Sequence, residues 1–419
     1  SMDSLPDALV QHIISHMGSA RDVAACNSVS KRWKDSTPYI RSLYFPRNCF
    51  DNHSNGDCPD STALKIIKST VRLEELVVYC PFSSAGLASW LSHSAPSLRH
   101  LELRMDSLIG HQGIESSQKT DCIAAARNLE SLKLWGVLMT QTPKWDCFES
   151  LTNLEIVGAG MDDRILSGVL HACPNLTHLL LLGCEGLLAV SIELPRLKQC
   201  KLDFYGVGNC SLLMASPVLE CLEVQGCSWI RVPESHHLKS LSIANNTGRV
   251  YIVNFGKLDN LECLSIRGVQ WSWDAISMIL QLATEVKHLY MKVEFTGDHE
   301  TLLPFPEIDF VDFFNSHPKL HKFDIHGAMF AALCQKNSLK NVDSNFLIPY
   351  LEEVTITVRS PLSAEQKMST LESLVRHGKS LKKMVVKILQ MRSNHSSADS
   401  FFEEVCRFSY MNRRIVQIE

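Results

Sequence analysis

An apolar-x-x-apolar-x-apolar string returns along most of the chain: Leu73-Glu-Glu-Leu-Val-Val78, Leu98-Arg-His-Leu-Glu-Leu103, Leu129-Glu-Ser-Leu-Lys-Leu134 and Leu151-Thr-Asn-Leu-Glu-Ile156. Further copies begin at Leu176, Leu197, Leu219, Leu238, Leu261, Val286, Leu320, Leu351 and Leu381, and an early one reads Ile40-Arg-Ser-Leu-Tyr-Phe45. In each copy the last two apolar residues lie two apart. On a strand they share the core face, while the residue between them and the one after point outward. Between copies the chain must return. Ile165-Leu-Ser-Gly-Val-Leu-His-Ala-Cys-Pro-Asn-Leu176 and Phe310-Val-Asp-Phe-Phe-Asn-Ser-His-Pro-Lys-Leu320 predict return helices that end before Pro and the next Leu.

From Leu73 to Leu176 the copies lie 22 to 31 residues apart, close to the range of leucine-rich repeats, whose strands line a horseshoe. Between Leu176 and Leu261 the spacing falls to 19 to 23 residues. Little room is left there for a helix, so extended or single-turn returns are expected. The predicted fold class is α/β: a small three-helix head over residues 1–46, then a solenoid over 47–419. We expect about thirteen irregular repeats with a parallel concave sheet, a right-handed path and a C-terminal cap from Phe401 to Glu419. Polar interruptions at 48–61, 106–121, 295–306 and 391–400 are expected to decorate one face, the last as disordered chain.

Within the head, Pro6 and Asp7 suit a first helical turn, and Leu9, Ile13, Ile14 and Met17 recur at three-to-four-residue spacing. Gly18 stops that helix. Ser19-Ala-Arg-Asp22 reads as a capping box, followed by Val23, Cys26 and Val29 on one face, and a third short segment covers Lys31-Arg32-Trp33-Lys34. So small a unit needs a neighbour to bury its remaining apolar surface.

Composition narrows the class. Of the 419 residues 45% are hydrophobic, and 41 basic against 45 acidic residues leave a formal charge of -4 without a like-charge block, so no nucleic-acid or anionic-membrane footprint is expected. Ser1 before Met2 reads as a cleavage remnant, and neither a signal peptide nor a membrane-length apolar run follows; a soluble intracellular protein, nuclear or cytoplasmic, is expected. Fifteen cysteines without a C-x-x-C pair fit reduced, mostly buried thiols. Asn-x-Ser/Thr triplets at Asn52, Asn175, Asn209, Asn245 and Asn394 are read as chance matches rather than glycosylation sites.

The head resembles an F-box in the order and spacing of Leu5-Pro6-Asp7 through Ile13, Ala20-Arg-Asp-Val23 and Val29-Ser-Lys-Arg-Trp33. Its continuation through Ile40-Arg-Ser-Leu-Tyr-Phe45 into short repeats resembles the plant F-box/leucine-rich-repeat proteins over essentially the whole chain. Met17-Gly18-Ser19-Ala20 departs from the leucine and proline that many F-boxes carry between the first two helices. The resemblance implies a non-catalytic substrate receptor: the F-box binds a Skp-type adaptor, which leads to cullin and RING subunits, and the repeats hold a protein target. It assigns adaptor contact to Leu5, Pro6, Leu9, Ile13, Val29, Arg32 and Trp33, with core and interface roles undivided among them. Two other readings stay open: a scaffold or inhibitor that binds an adaptor without ubiquitination, and a small-molecule sensor with a pocket at a repeat rim.

No catalytic constellation, metal-ligand spacing or cofactor motif is read from the chain. Gly206-Val-Gly208 lacks the third glycine of a phosphate loop, and His236-His237 carries no ligand spacing. Candidate target contacts are the outward strand residues and the loops after them. They include Arg104 beside Glu102, Trp135 beside Lys133, Leu180 and Leu182, and Tyr290 with Lys292. Trp145, Trp229, Trp271 and Trp273 fall shortly after strands, and Trp229, Trp271 and Trp273 are expected to line one pocket with Arg267.

Overall fold

The structure is a computed structural model that describes residues 4–51, 58–106, 112–206, 209–295, 306–335, 339, 342–389 and 396–419. Asn52, Asn394 and the Val207-Gly208 half of the glycine pair lie outside the described residues, as do parts of each of the four polar interruptions. By its contacts the chain forms two compact units, residues 1–206 and 207–419.

The first unit opens with helices α1 (Asp7–Ser15), α2 (Ala20–Val29) and α3 (Lys31–Lys34), then a 3-10 turn at Thr37–Tyr39. Their shared core is Val10, Ile14, Ala20, Val23 and Trp33. Ser19 stands at the N-cap of α2, but its side chain makes no cap bond, so the expected capping box does not close. The backbone of this turn serves another end: Tyr44 donates its N–H to the Gly18 carbonyl at 2.5 Å, and Ser19 bridges Tyr44 in parallel. That pairing ties the head to the first repeat strand.

The repeats of the first unit follow as β1 (Ser42–Phe45), α4 (Pro59–Lys68), β2 (Glu75–Val78), α5 (Ser84–Ser94), β3 (His100–Arg104), α6 (Gln112–Cys122), β4 (Ser131–Leu138), β5 (Asn153–Gly160), α7 (Asp163–His171), β6 (His178–Glu185), β7 (Ala189–Ile192) and β8 (Gln199–Tyr205). Strands β1 to β6 and β8 pair in parallel in that order. Their register stacks one motif position on itself: Leu43, Leu76, Leu101, Leu132, Leu154, Leu179 and Cys200 are successive partners, all buried. Each buried leucine removes its side chain from water at a gain of about 1.5–3 kcal/mol. A column of them therefore fixes the register, because a one-residue slip would turn every one outward. Return helices start where a side chain replaces the missing turn: Ser83 Oγ accepts from Gly86 N at 3.0 Å, and Asp162 Oδ1 from Ile165 N at 2.9 Å. At the ends of β4, β5 and β6, Gly136, Gly158 and Gly183 repeat a left-handed conformation, with φ of 64°, 69° and 63°. The bend there lets each strand resume core packing through Val137, Ala159 and Cys184.

The second unit contains β9 (Cys210–Met214), β10 (Cys221–Gln225), β11 (Cys227–Val232), β12 (Ser240–Asn245), β13 (Ile252–Phe255), β14 (Cys263–Trp271), α8 (Trp273–Leu282), β15 (His288–Phe295), α9 (Phe310–Ser316), β16 (Lys322–His326), α10 (Gly327–Cys334), β17 (Glu353–Val358), α11 (Ala364–His377), β18 (Lys383–Ile388), α12 (Ser396–Met411) and β19 (Val416–Ile418). Its core column runs Leu222, Leu241, Leu264, Leu289, Phe323, Val354, Met384 and Val416. Where spacing left no room for helices the returns are indeed extended, and β9, β11 and β13 hydrogen-bond to one another as a second parallel sheet.

Two expectations change. The interruption at 106–121 contains α6, and the one at 391–400 gives way to α12 at Ser396, so polar composition misjudged both. The C-terminal segment caps β18 by adding a strand, β19, to the same sheet. Asn245 is fully buried, its Nδ2 donating to the Cys227 carbonyl, which leaves no room for a glycan.

Candidate interaction surfaces

The three helices of the head separate two kinds of apolar residue. Val10 and Ile14 face the core, whereas Leu9 and Ile13, one helical turn apart, are 46% and 39% exposed, and Val29 at the end of α2 is 64% exposed. Pro6 is exposed, Leu5 half-buried and Trp33 buried. Arg32 is the strut: its Nε lies 2.6 Å from Asp7 Oδ1 and its guanidinium also donates to the Leu5 carbonyl, tying α3 to the start of α1. Ser30 Oγ accepts from Trp33 N at 3.3 Å and starts the turn that inserts the indole. The seven predicted adaptor residues thus divide: Trp33 packs inside, Arg32 and Leu5 brace, and Pro6, Leu9, Ile13 and Val29 offer surface. Burying three exposed aliphatic side chains on a partner is worth more than leaving them in water.

On the strand face of the first unit, outward side chains form a bonded network. Glu102 accepts from the Tyr79 hydroxyl and, at 2.8 Å, from Trp135 Nε1. Lys133 Nζ sits 3.2 Å from Glu155 and 4.7 Å from the centre of the Trp135 ring. Arg104 makes two bonds to Asp106, at 2.6 and 2.9 Å, which hold the Asp106 carboxyl below its usual range and raise the Arg104 guanidinium. Burial, and then the bond to Glu102, push the Tyr79 phenol up to about 12. Beside this network Leu180 and Leu182 stand half-exposed in outward positions of β6. Trp145 is buried, donating Nε1 to the Thr120 carbonyl at 2.7 Å.

The tryptophans of the second unit do not share a pocket with Arg267. Trp271 is 0% exposed and donates Nε1 to the Arg267 carbonyl at 2.9 Å. The cause is a bulge: β14 carries one extra residue against β15 between Gly268 and Trp271, which turns the indole from the outer face into the core. Trp229 lies on β11 of the second sheet, 38% exposed and stacked on Tyr251 with ring centres 5.1 Å apart. Trp273 opens α8, half-buried, edge-on to Phe295 at 5.6 Å.

Two open hollows do lie on the strand face of this unit. One is floored by the small Ser242 and Ser265 and bordered by Glu223, Tyr290, Asp324 and Thr355. The other is bordered by Arg267, Lys292, Glu294, His326 and Arg359, and Tyr290 borders both. Arg359 was not singled out from the sequence. It stands one residue past β17, a position the motif marks as the strand's exit, and that spacing was the available signal.

Burial raises the thiols of Cys80, Cys173, Cys184 and Cys334 to about 12, so they stay protonated at neutral pH. Among the described residues no group of His, Cys, Asp and Glu has a metal-holding arrangement, and no helix is long and apolar enough to cross a membrane.

The F-box-like family model matches residues 2–45. Over 419 residues, the full length of both chains, the protein is 64% identical to F-box protein At1g10780 of Arabidopsis thaliana. F-box/LRR-repeat protein At1g67190 of the same plant is 22% identical over 326 residues, 72% of this chain and 73% of that one. F-box/FBD/LRR-repeat protein At5g56420, also from Arabidopsis thaliana, is 23% identical over 229 residues, 48% of each. With an F-box at its head, leucine-rich coils through both units and a full-length relative, the chain belongs to the plant F-box/leucine-rich-repeat family.

Proposed function

We propose that this chain is the substrate-recognition subunit of a Skp–cullin–F-box ubiquitin ligase. Residues 1–46 would dock the adaptor, and residues 47–419 would hold a protein target in the nucleus or cytoplasm. The reading rests on one observation above others: the F-box keeps Leu9, Ile13 and Val29 in solvent although its own core is filled by Val10, Ile14, Val23 and Trp33. Aliphatic surface spared from a filled core is what an apolar partner groove requires.

The chain itself would perform no bond chemistry. Holding the target near a ubiquitin-charged enzyme raises the effective concentration of its lysines, and that proximity accelerates transfer. The test is reconstitution with a Skp-type adaptor, a cullin and a RING subunit. Co-elution of all four, with ubiquitin transferred in a manner that requires this chain, supports the proposal. Adaptor binding that excludes the cullin would replace it with a scaffold or inhibitor.

A further inference from the structure

On the reading that this chain is a target receptor, we propose that the hollow between Arg267, Lys292, His326 and Arg359 binds a phosphorylated side chain of the target. Arg267 lies on β14, Lys292 on β15, His326 at the end of β16 and Arg359 just past β17, so four successive coils each contribute one basic residue. The carboxylate on its border is Glu294, and Arg359 already holds it. Arg267 and Lys292 are exposed and, among the described residues, have no carboxylate at ion-pair distance. Among the described residues that border the hollow, three cations face one carboxylate. A phosphoryl group carries about -1.5 to -2 at neutral pH and takes several charge-assisted hydrogen bonds.

The backbone adds to the same field. Gly327 and Ala328 line the hollow and form the first turn of α10, whose N-cap residue His326 gives that turn no side-chain bond. A helix start that lines a basic hollow favours an anion further. Gly327 has φ of +37°, and a Cβ there would come within 3.1 Å of Arg359 Cδ, so glycine lets the arginine lie across the opening. Among the described residues the buried Nδ1 of His326 has no hydrogen-bond partner, while its Nε2 lies 3.3 Å from Asp324.

Tyr290 borders this hollow and the serine-floored one beside it. A peptide running across the strands can therefore set its phosphoryl group among the cations and a neighbouring residue over Ser242 and Ser265. An isolated anion would use only the first hollow. The adjacency favours a phosphorylated peptide over a free phosphate.

The test uses the full chain in complex with a Skp-type adaptor. It is presented with a degenerate peptide library centred on phosphoserine or phosphothreonine, and with the same library unphosphorylated. Retained peptides are identified by mass spectrometry and their affinities read by anisotropy. The proposal expects about tenfold or greater enrichment of the phosphorylated library, a residue preference beside the phosphate, and loss of the enrichment in Arg267→Gln/Lys292→Gln with the melting temperature unchanged. Equal retention of both libraries, or undiminished enrichment in the double variant, overturns it. Full displacement by equimolar inorganic phosphate, without residue preference, would also overturn the peptide assignment. Adaptor binding is read in the same samples: its loss in the parent chain sinks the receptor reading, whereas its persistence beside a failed enrichment sinks this inference alone.

Discussion

The F-box and the strand faces of the repeats present opposite kinds of surface. The head leaves simple aliphatic side chains, Leu9, Ile13 and Val29, in solvent. The strand face of the first unit leaves charged and aromatic groups already bonded to each other, with Glu102 serving Tyr79 and Trp135 and Glu155 serving Lys133. An aliphatic patch gains from any apolar groove and suits a shared partner, while a polar face binds only what matches its charges and donors. The second unit sharpens the difference, since among the described residues Arg267 and Lys292 have no carboxylate at ion-pair distance, whereas Arg104 and Lys133 of the first unit are paired with Asp106 and Glu155.

Core substitutions should give the largest effects and separate the two regions. Trp33→Ala and Trp271→Ala each remove a buried indole and should cost about 3–5 kcal/mol of unfolding free energy. Only the first should also abolish adaptor binding; if calorimetry and pull-down show both variants losing the adaptor below their melting temperatures, the regions are not functionally separate. Arg32→Ala should cost less, about 1 kcal/mol, because the Asp7 partner is well exposed. Its measurable sign is weaker adaptor binding with little change in melting. Trp229→Ala, which removes a half-exposed stacked ring, should cost under about 1 kcal/mol, and a loss as large as that of Trp271→Ala would contradict its placement.

Glu102→Gln gives the smallest and most local effect. The Tyr79 phenol, raised to about 12 by burial and by Glu102, should titrate lower in the variant while remaining above the ordinary value near 10, since burial persists. The sign follows from linkage: a raised folded value favours the neutral phenol, so its contribution is complete below pH of about 10 and is lost as pH rises toward 12. Difference titration of tyrosinate absorbance between parent and variant reads the shift, and identical curves would remove Glu102 from the network.

The repeat motif was legible because its spacing states both strand and face: each copy, from Ile40 to Leu381, lays down a strand with its paired apolar residues inside. The head's helices were legible too, but not their orientation. Leu9 and Ile13 form one stripe, Val10 and Ile14 the next, and only packing decides which pair is buried. Trp271 misled for a different reason, since strict alternation cannot foresee a bulge, although Gly268 just before it was a hint. The polar interruptions at 106–121 and 391–400 misled because helices α6 and α12 begin within them, and polar composition does not by itself exclude a helix supported by packing.

The most direct test of the central claim compares the parent chain with Leu9→Asp/Ile13→Asp/Val29→Asp, each co-expressed with a Skp-type adaptor and analysed by size-exclusion chromatography. The substitutions leave the Val10, Ile14 and Trp33 core untouched. The account predicts a one-to-one complex for the parent and, for the variant, a folded monomer with unchanged melting that elutes apart from the adaptor. A variant that still co-elutes, or a parent that ignores the adaptor, would contradict it.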